Sequence, residues 1–246
     1  MENIAISLEN VCVRYGNRIA LADATIKIPY RSFTGVIGMN GAGKSTLFKT
    51  IMGLVKPDAG KVTICGDDTK TAQKHGHVAY VPQTELVDWD FPISVFDVVM
   101  MGRLGSQNLF KTPKDKDYQM VEGALDKVGM SNFKNRQIGE LSGGQKKRVF
   151  IARALAQGAD ILLLDEPFAG LDVTTEKSLI TLLLSLKQNG KTIILATHDL
   201  LSLPDTCDYV ALVKSTIVAF GPTKNVFTRE LVEKTFDGAL NHVNFN

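Results

Sequence analysis

The chain has 246 residues, with 28 Lys and Arg against 26 Asp and Glu, for a formal net charge of +2. That balance argues against an electrostatic nucleic-acid binder, which needs a strongly basic face; the length suits one large α/β domain, or one core with a smaller inserted lobe. Cys12, Cys65 and Cys207 stand far apart with no C-x-x-C pair, so structural disulfides and zinc are not expected and a reducing compartment fits.

Met1, Glu2 and Asn3 are polar and lead into strand-like alternation, so no secretory signal is expected at this end. Residues 3–37 read as strands: Ile4, Ile6 and Leu8 alternate, then Val11, Val13 and Tyr15, then Leu21 to Ile28, with a turn at Gly16 and Asn17. Val36 and Ile37 run into a glycine-rich loop, and Ser45 to Leu54 has helical character until Gly53 and Pro57 end it. Strands are expected at Val62–Ile64 and Val78–Val81. From about Asp88 the chain turns to helices and polar connections. Ser94 and Asp97 form a capping-box pattern opening a helix through Met101, Leu109 to Lys116 reads as a linker, and Tyr118 to Val128 has helical spacing.

A helix is expected from Ser142 to about Ala156, with Val149, Ala152 and Leu155 on one side. Ile161–Leu164 and Thr192–Ala196 are continuous apolar runs, the pattern of strands covered on both faces. Tyr209–Val213 and Thr216–Phe220 suggest a terminal hairpin, followed by a short helix near Thr228–Phe236. No apolar run approaches the ~18 residues that span a bilayer. Work at a membrane would therefore require another chain to do the spanning. The expected division is a core over about 1–87 and 159–246, with a helical lobe inserted over about 88–158.

The chemistry begins at Gly38, Met39, Asn40, Gly41, Ala42, Gly43, Lys44 and Ser45, which satisfy G-x-x-x-x-G-K-S/T in a strand–loop–helix setting. Backbone N–H groups from Gly41 to Ser45 are placed to wrap phosphates, Lys44 to bridge β and γ oxygens, and Ser45 to coordinate Mg²⁺. Asp165 and Glu166 close a buried apolar strand, where carboxylates rarely sit unless paired or metal-bound. Asp165 reads as a holder of Mg²⁺ and Glu166 as the base that polarises the attacking water. His198 ends a parallel strand and reads as a γ-phosphate contact; Gln83, also after a strand, is placed to reach Mg²⁺ or the water. Tyr15 is placed to stack on adenine. Lys146, Lys147 and Arg148 read as a solvated helix face without a site.

Leu141, Ser142, Gly143, Gly144 and Gln145 form a second anion seat, a capped helix start that has no lysine placed like Lys44. One complete and one incomplete seat in the same chain suggest that the incomplete one closes over a nucleotide held by another copy.

These residues, in this order, resemble the nucleotide-binding subunit of an ATP-binding-cassette (ABC) transporter, over essentially the whole chain. Gly38–Ser45 resembles the Walker A loop, and the resemblance extends nucleotide contact to Thr46. Gln83 resembles the Q-loop, Leu141–Gln145 the signature, Ile161–Glu166 the Walker B strand, Gly170 to Asp172 the D-loop, His198 the switch histidine and Tyr15 the adenine-stacking aromatic. One local departure is the final hairpin turn, Lys214 and Ser215, where a glycine-rich turn is common.

The resemblance implies a P-loop NTPase core with an antiparallel β subdomain and a helical subdomain, with ATP and Mg²⁺ as cofactors. It implies a homodimer that sandwiches ATP between Lys44 of one copy and Ser142, Gly143, Gly144 and Gln145 of the other. The partners it implies are a membrane-spanning permease dimer on the cytoplasmic face and, indirectly, an extracytoplasmic solute-binding protein. Val87 to Ile93 and Val98 to Arg103, with the tail Phe236 to Gly238, resemble the subfamily serving manganese, zinc and iron importers. Trp89 is read there as an anchor for a partner helix, and Asp88 and Asp90 as turn formers. The alternatives are import of an iron chelate such as a siderophore or haem, or a soluble ATPase of the same family of the iron–sulfur assembly type.

Overall fold

The computed structural model describes residues 3–83, 91–107, 112–200 and 206–237. Two sheets organise them. Strands β1 (Ile4–Tyr15) and β2 (Arg18–Pro29) form an antiparallel hairpin. After β3 (Phe33–Ile37) and helix α1 (Lys44–Ile51) the chain returns to the hairpin with β4 (Ala59–Ile64) and the short β5 (Asp67–Asp68). The resulting four-stranded sheet has the order β2-β1-β4-β5. Helix α2 (Thr69–His75), capped by the Asp68 side chain, leads to β6 (Val78–Val81).

Three helices follow. α3 (Val95–Met100) starts at Ser94, whose hydroxyl accepts from Asp97 N, as the capping-box pattern predicts. α4 (Asp115–Lys127) starts inside the stretch expected to be linker. The reason is Asp117, whose carboxylate accepts from Lys114 N at 2.9 Å and, with Asp115, places negative charge at the helix N-terminus. α5 (Gly143–Ala156) matches the expected span, with Val149, Ala152 and Leu155 all buried.

The second sheet is completed by β7 (Ile161–Asp165), β8 (Thr192–Thr197), β9 (Tyr209–Val213) and β10 (Ile217–Pro222). Between β7 and β8 lies α6 (Val173–Gln188), which contains the Leu182–Leu184 run. Its buried Leu179, Leu182, Leu183 and Leu186 follow the i, i+3, i+4, i+7 spacing of a helix face. Helices α7 (Thr223–Val226) and α8 (Arg229–Thr235) close the described chain. The sheet order is β10-β9-β3-β8-β7-β6, parallel from β9 to β6, with β10 antiparallel at the edge.

The interior strands show why their sequences do not alternate. In β7, Leu162 and Leu164 join one apolar cluster, while Ile161 and Leu163 join the other. In β8, Ile193 and Leu195 are divided in the same way from Ile194 and Ala196. The first cluster also takes in Val98, Leu125 and Phe150 from α3, α4 and α5; the second takes in the β1–β2 hairpin and Phe48 of α1. Each strand therefore buries both faces, as covered parallel strands do. In such sheets ligands bind beyond the carboxyl ends of the strands. Here those ends carry Gly38, His198, Asp165 with Glu166, and Gln83, from β3, β8, β7 and β6.

Among the described residues, no helix is long and apolar enough to cross a membrane. Cys12, Cys65 and Cys207 are unpaired. Trp89, Asp88 and Asp90 lie outside the described residues.

Candidate active site

The loop after β3 is built around backbone that a side chain would obstruct. Gly43 caps α1 with φ of 104°, and a Cβ there would fall 2.6 Å from the Ala20 carbonyl oxygen. α1 has no side-chain cap and no acidic residue in its first turn, so its leading N–H groups stay available to an anion. The β9–β10 turn supports the loop from behind. Ser215 N donates to Ala42 O at 2.7 Å, and Ala22 N donates to Ser215 O at 2.6 Å. Ser215 adopts φ of 54°, so serine here takes the left-handed conformation that glycine would take.

Lys44 is only 6% exposed. Its ammonium donates to Gly38 O at 2.7 Å and Met39 O at 3.2 Å and lies 3.6 Å from Glu166 Oε1. Burial pushes the Lys44 ammonium below its ordinary pKa, and the Glu166 carboxylate and then Asp165 oppose that shift. Glu166, equally buried, has both oxygens 3.0 Å from His198 Nδ1. Its backbone is left-handed at φ 49°, held by a hydrogen bond from its N–H to Ala196 O. A non-glycine residue in that region costs about 1–3 kcal/mol and persists only where its surroundings enforce it.

Asp165 is buried at the end of β7. Its Oδ2 accepts from the Tyr80 hydroxyl at 3.1 Å, while Oδ1 has no hydrogen-bond partner among the described residues. An orphaned buried carboxylate oxygen is costly by itself, and it fits a site that takes a hard cation.

Lys44 and Glu166 border a cavity of about 610 Å³, whose lining includes neither Asp165 nor His198. Asn40, Gly41, Gly43, Lys44, Ser45 and Thr46 line one side, Gln83 and Glu166 another, and half-exposed Tyr15 stands at the mouth. Arg18 and Ala20 of β2 also line it and carry no motif. The signal that could have found Arg18 is its place three residues after Tyr15, across the Gly16–Asn17 turn and in register with Tyr15.

Ser142 to Gln145 do not line this cavity. They form a capping box at α5: Ser142 Oγ accepts from Gln145 N at 3.4 Å, and Gln145 Oε1 accepts from Ser142 N at 3.0 Å. Ser142 and Gly143 are exposed. Gly144 is buried, because a Cβ there would fall 2.3 Å from Thr175 Cγ2 of α6. The second glycine thus serves close helix packing as well as an open helix start. Asp172 caps α6 by accepting from Thr175 N at 3.0 Å and Thr175 Oγ1 at 2.6 Å.

The Lys146–Arg148 run is not the solvated face expected of it, since all three residues are half-buried. Lys147 Nζ donates to Gln83 O at 3.1 Å, and Arg148 donates to Val128 O at 2.8 Å and to Ser178 Oγ at 2.7 Å. α5 is thereby tied to Gln83, to the end of α4 and to α6. Long side chains can bury their stems and still pair their heads.

Comparison with known proteins identifies the family. Residues 21–169 match the ABC transporter family model. The chain is 51% identical to the manganese transport system ATP-binding protein MntA of Synechocystis, over 97% of this chain and 92% of that one. It is 50% identical to the chelated iron transport system protein YfeB of Yersinia pestis, over 97% and 81%. It is 42% identical to the zinc transport system ATP-binding protein TroB of Treponema pallidum, over 98% and 90%. Among solved structures, cbiO1 of Clostridium perfringens, part of the ABC transporter complex cbiONQ, superposes with a TM-score of 0.81 at 32% identity, over 95% of this chain and 94% of that one. The chain belongs to the ABC transporter family, as a nucleotide-binding subunit that hydrolyses ATP.

Proposed function

We propose that this chain powers import of a divalent metal ion, manganese, zinc or iron, as the ATPase of a membrane transporter. The observation that carries the hydrolytic part is the buried Lys44–Glu166 pair beyond the strand ends, with the exposed His198 ring on Glu166. The cargo reading rests on the relatives named for manganese and zinc transport.

In this reading residues 1–87 and 159–246 form the core and residues 88–158 the helical lobe. Tyr15 stacks on adenine, and Gly38 to Thr46 wrap the phosphates. Ser45, Gln83 and Asp165 are the residues that would hold Mg²⁺, an assignment the orphaned Asp165 Oδ1 supports. The chemistry such an ion would supply there is neutralisation of the charge on the phosphates. Before nucleotide arrives, Lys44 and Glu166 compensate one another in a site too buried for either alone. Phosphates recruit the Lys44 ammonium and free the Glu166 carboxylate to accept the proton of the attacking water. His198 contacts Glu166 through Nδ1, and in this reading its role is at the γ-phosphate.

A second copy supplies Ser142, Gly143, Gly144 and Gln145 over the same nucleotide. Two copies sit on the cytoplasmic face of the membrane beneath a permease dimer, fed indirectly by an extracytoplasmic solute-binding protein. ATP drives closure only to the extent that it binds the closed pair better. The name of the Yersinia pestis relative favours one second reading, import of chelated iron.

The test is metal uptake in a deletion strain, with the tagged chain recovered from membranes together with its permease. Loss of uptake of one of the three ions supports the proposal. Loss confined to chelated iron supports the second reading, and unchanged uptake of all of them refutes both.

A further inference from the structure

Three side chains outside the ATP cavity converge on one point of the surface. Asp67 of β5, His75 at the last position of α2 and His77 just before β6 each offer one ligand atom, and these atoms all lie within 4.8 Å of one another. His75 Nδ1 is 3.0 Å from Asp67 Oδ2, and His77 Nε2 is 3.7 Å from the same oxygen. The two imidazole rings meet edge to face at 5.4 Å. None of the three lines the ATP cavity.

The spacing suits a metal ion. Bonds of about 2.0–2.1 Å in a tetrahedral zinc site place neighbouring ligand atoms roughly 3.4 Å apart, between the two separations seen here. Two neutral imidazoles and one carboxylate form a donor set for a borderline divalent transition ion such as Zn²⁺; Mg²⁺ would prefer oxygen alone. The lack of a C-x-x-C pair, the ground for expecting no zinc, does not bear on a site of this type.

Each ligand is anchored by other parts of the fold. Asp67 pairs with Ile64 across the β4–β5 turn. His75 is fixed by α2, whose carbonyl end favours a cation. Gly76, at φ 72°, turns the chain so that His77 follows, and His77 N donates to Ala72 O at 3.1 Å. The His77 carbonyl accepts from Asp160 N at 3.1 Å and Ile161 N at 3.0 Å, which ties it to the start of β7. All three side chains remain in contact with solvent, so an ion has access.

We propose that Asp67, His75 and His77 form a zinc-type divalent cation site separate from the ATP cavity, with water completing the coordination. Bound there, the ion would brace β5, the end of α2 and the start of β6, the strand that runs on to Gln83. The alternative is a plain surface contact between a carboxylate and two imidazoles, and the two differ in what they bind.

The test uses the full-length, chelator-treated, nucleotide-free protein, titrated with Zn²⁺ against a chromophoric indicator. The parental protein should take up one equivalent and melt several degrees higher with zinc than without. His75→Ala and His77→Ala should each weaken that binding by at least about tenfold. The double variant should lose both the equivalent and the melting shift while keeping parental ATP hydrolysis, which shows that it is folded. Millimolar Mg²⁺ should not compete, and X-ray absorption at the zinc edge should show imidazole nitrogen and oxygen. Equal zinc binding by the parental and double-variant proteins, no zinc-dependent shift in the parental protein, or a sulfur-ligated zinc would each overturn the site.

Discussion

Replacing Glu166 by Gln keeps the shape of the side chain and removes its capacity to take a proton. Lys44 keeps its two carbonyl partners, Gly38 O at 2.7 Å and Met39 O at 3.2 Å, so the phosphate loop has no reason to collapse. The amide oxygen remains able to face His198 Nδ1. What is lost is the base, worth about 10²–10⁴ in rate, or about 2.7–5.4 kcal/mol of barrier at 1.36 kcal/mol per decade. The Lys44 ammonium also loses its anionic neighbour at 3.6 Å and must find compensation in the phosphates. ATP affinity should therefore stay within about threefold of the parental value or tighten. Phosphate release at saturating ATP measures the first effect, and fluorescent-nucleotide titration the second. Hydrolysis within about threefold of the parental rate would refute the base assignment. A matched loss of ATP binding would show instead that Glu166 is needed to organise the loop.

Three further outcomes follow from the packing. Phe48, fully buried in α1 and edge-on to Tyr80, should cost about 3–5 kcal/mol of stability on change to Ala, read by chemical denaturation. Because α1 carries Lys44 and Ser45, that variant should also lose ATP affinity. Hydrogen bonds from the Thr175 side chain and backbone hold the Asp172 carboxyl below the usual carboxylate range. A depressed carboxylate contributes stability above its ordinary pKa of about 3.9, and that stability is lost as pH falls through the lower folded value. Asp172→Asn should thus lower the melting temperature slightly near neutrality, where the charged cap acts, and flatten the profile below about pH 4, where the two proteins converge; an unchanged acid slope would contradict the cap. Tyr15→Ala should weaken ATP binding several-fold and leave saturated turnover near parental, since the ring stands at the cavity mouth; unchanged affinity would remove the stacking role.

The parts of the fold legible in the sequence were those with strong local chemistry. The Gly38–Ser45 loop, the Ser142 cap with Gln145 and the unbroken apolar runs of β7 and β8 all stand where their patterns place them. What escaped was set by tertiary context. α2 is short, polar and has only Ala72 buried, so it carries almost no periodic signal. The start of α4 hid behind Pro113 and two lysines because its decisive feature is one carboxylate accepting from a backbone N–H. Lys147 and Arg148 read as surface charge because their acceptors, the Gln83 and Val128 carbonyls, are 64 and 20 residues away in sequence. Arg18 reaches the cavity through the register of a hairpin, and Asp67, His75 and His77 meet only once β5, α2 and β6 are folded.

The shared nucleotide site is tested most directly by mixing two inactive chains. Lys44→Ala removes the phosphate lysine, and Ser142→Arg blocks the seat offered to a partner. Separately, each should hydrolyse almost no ATP. In a mixed pair, the lysine of the Ser142→Arg chain faces the intact Ser142 of the Lys44→Ala chain, which rebuilds one complete site. With random pairing at equal concentrations, phosphate release should climb toward about a quarter of the parental rate. A mixture that only sums its two components, or a Ser142→Arg chain that turns over at the parental rate by itself, would contradict a site completed by a second copy.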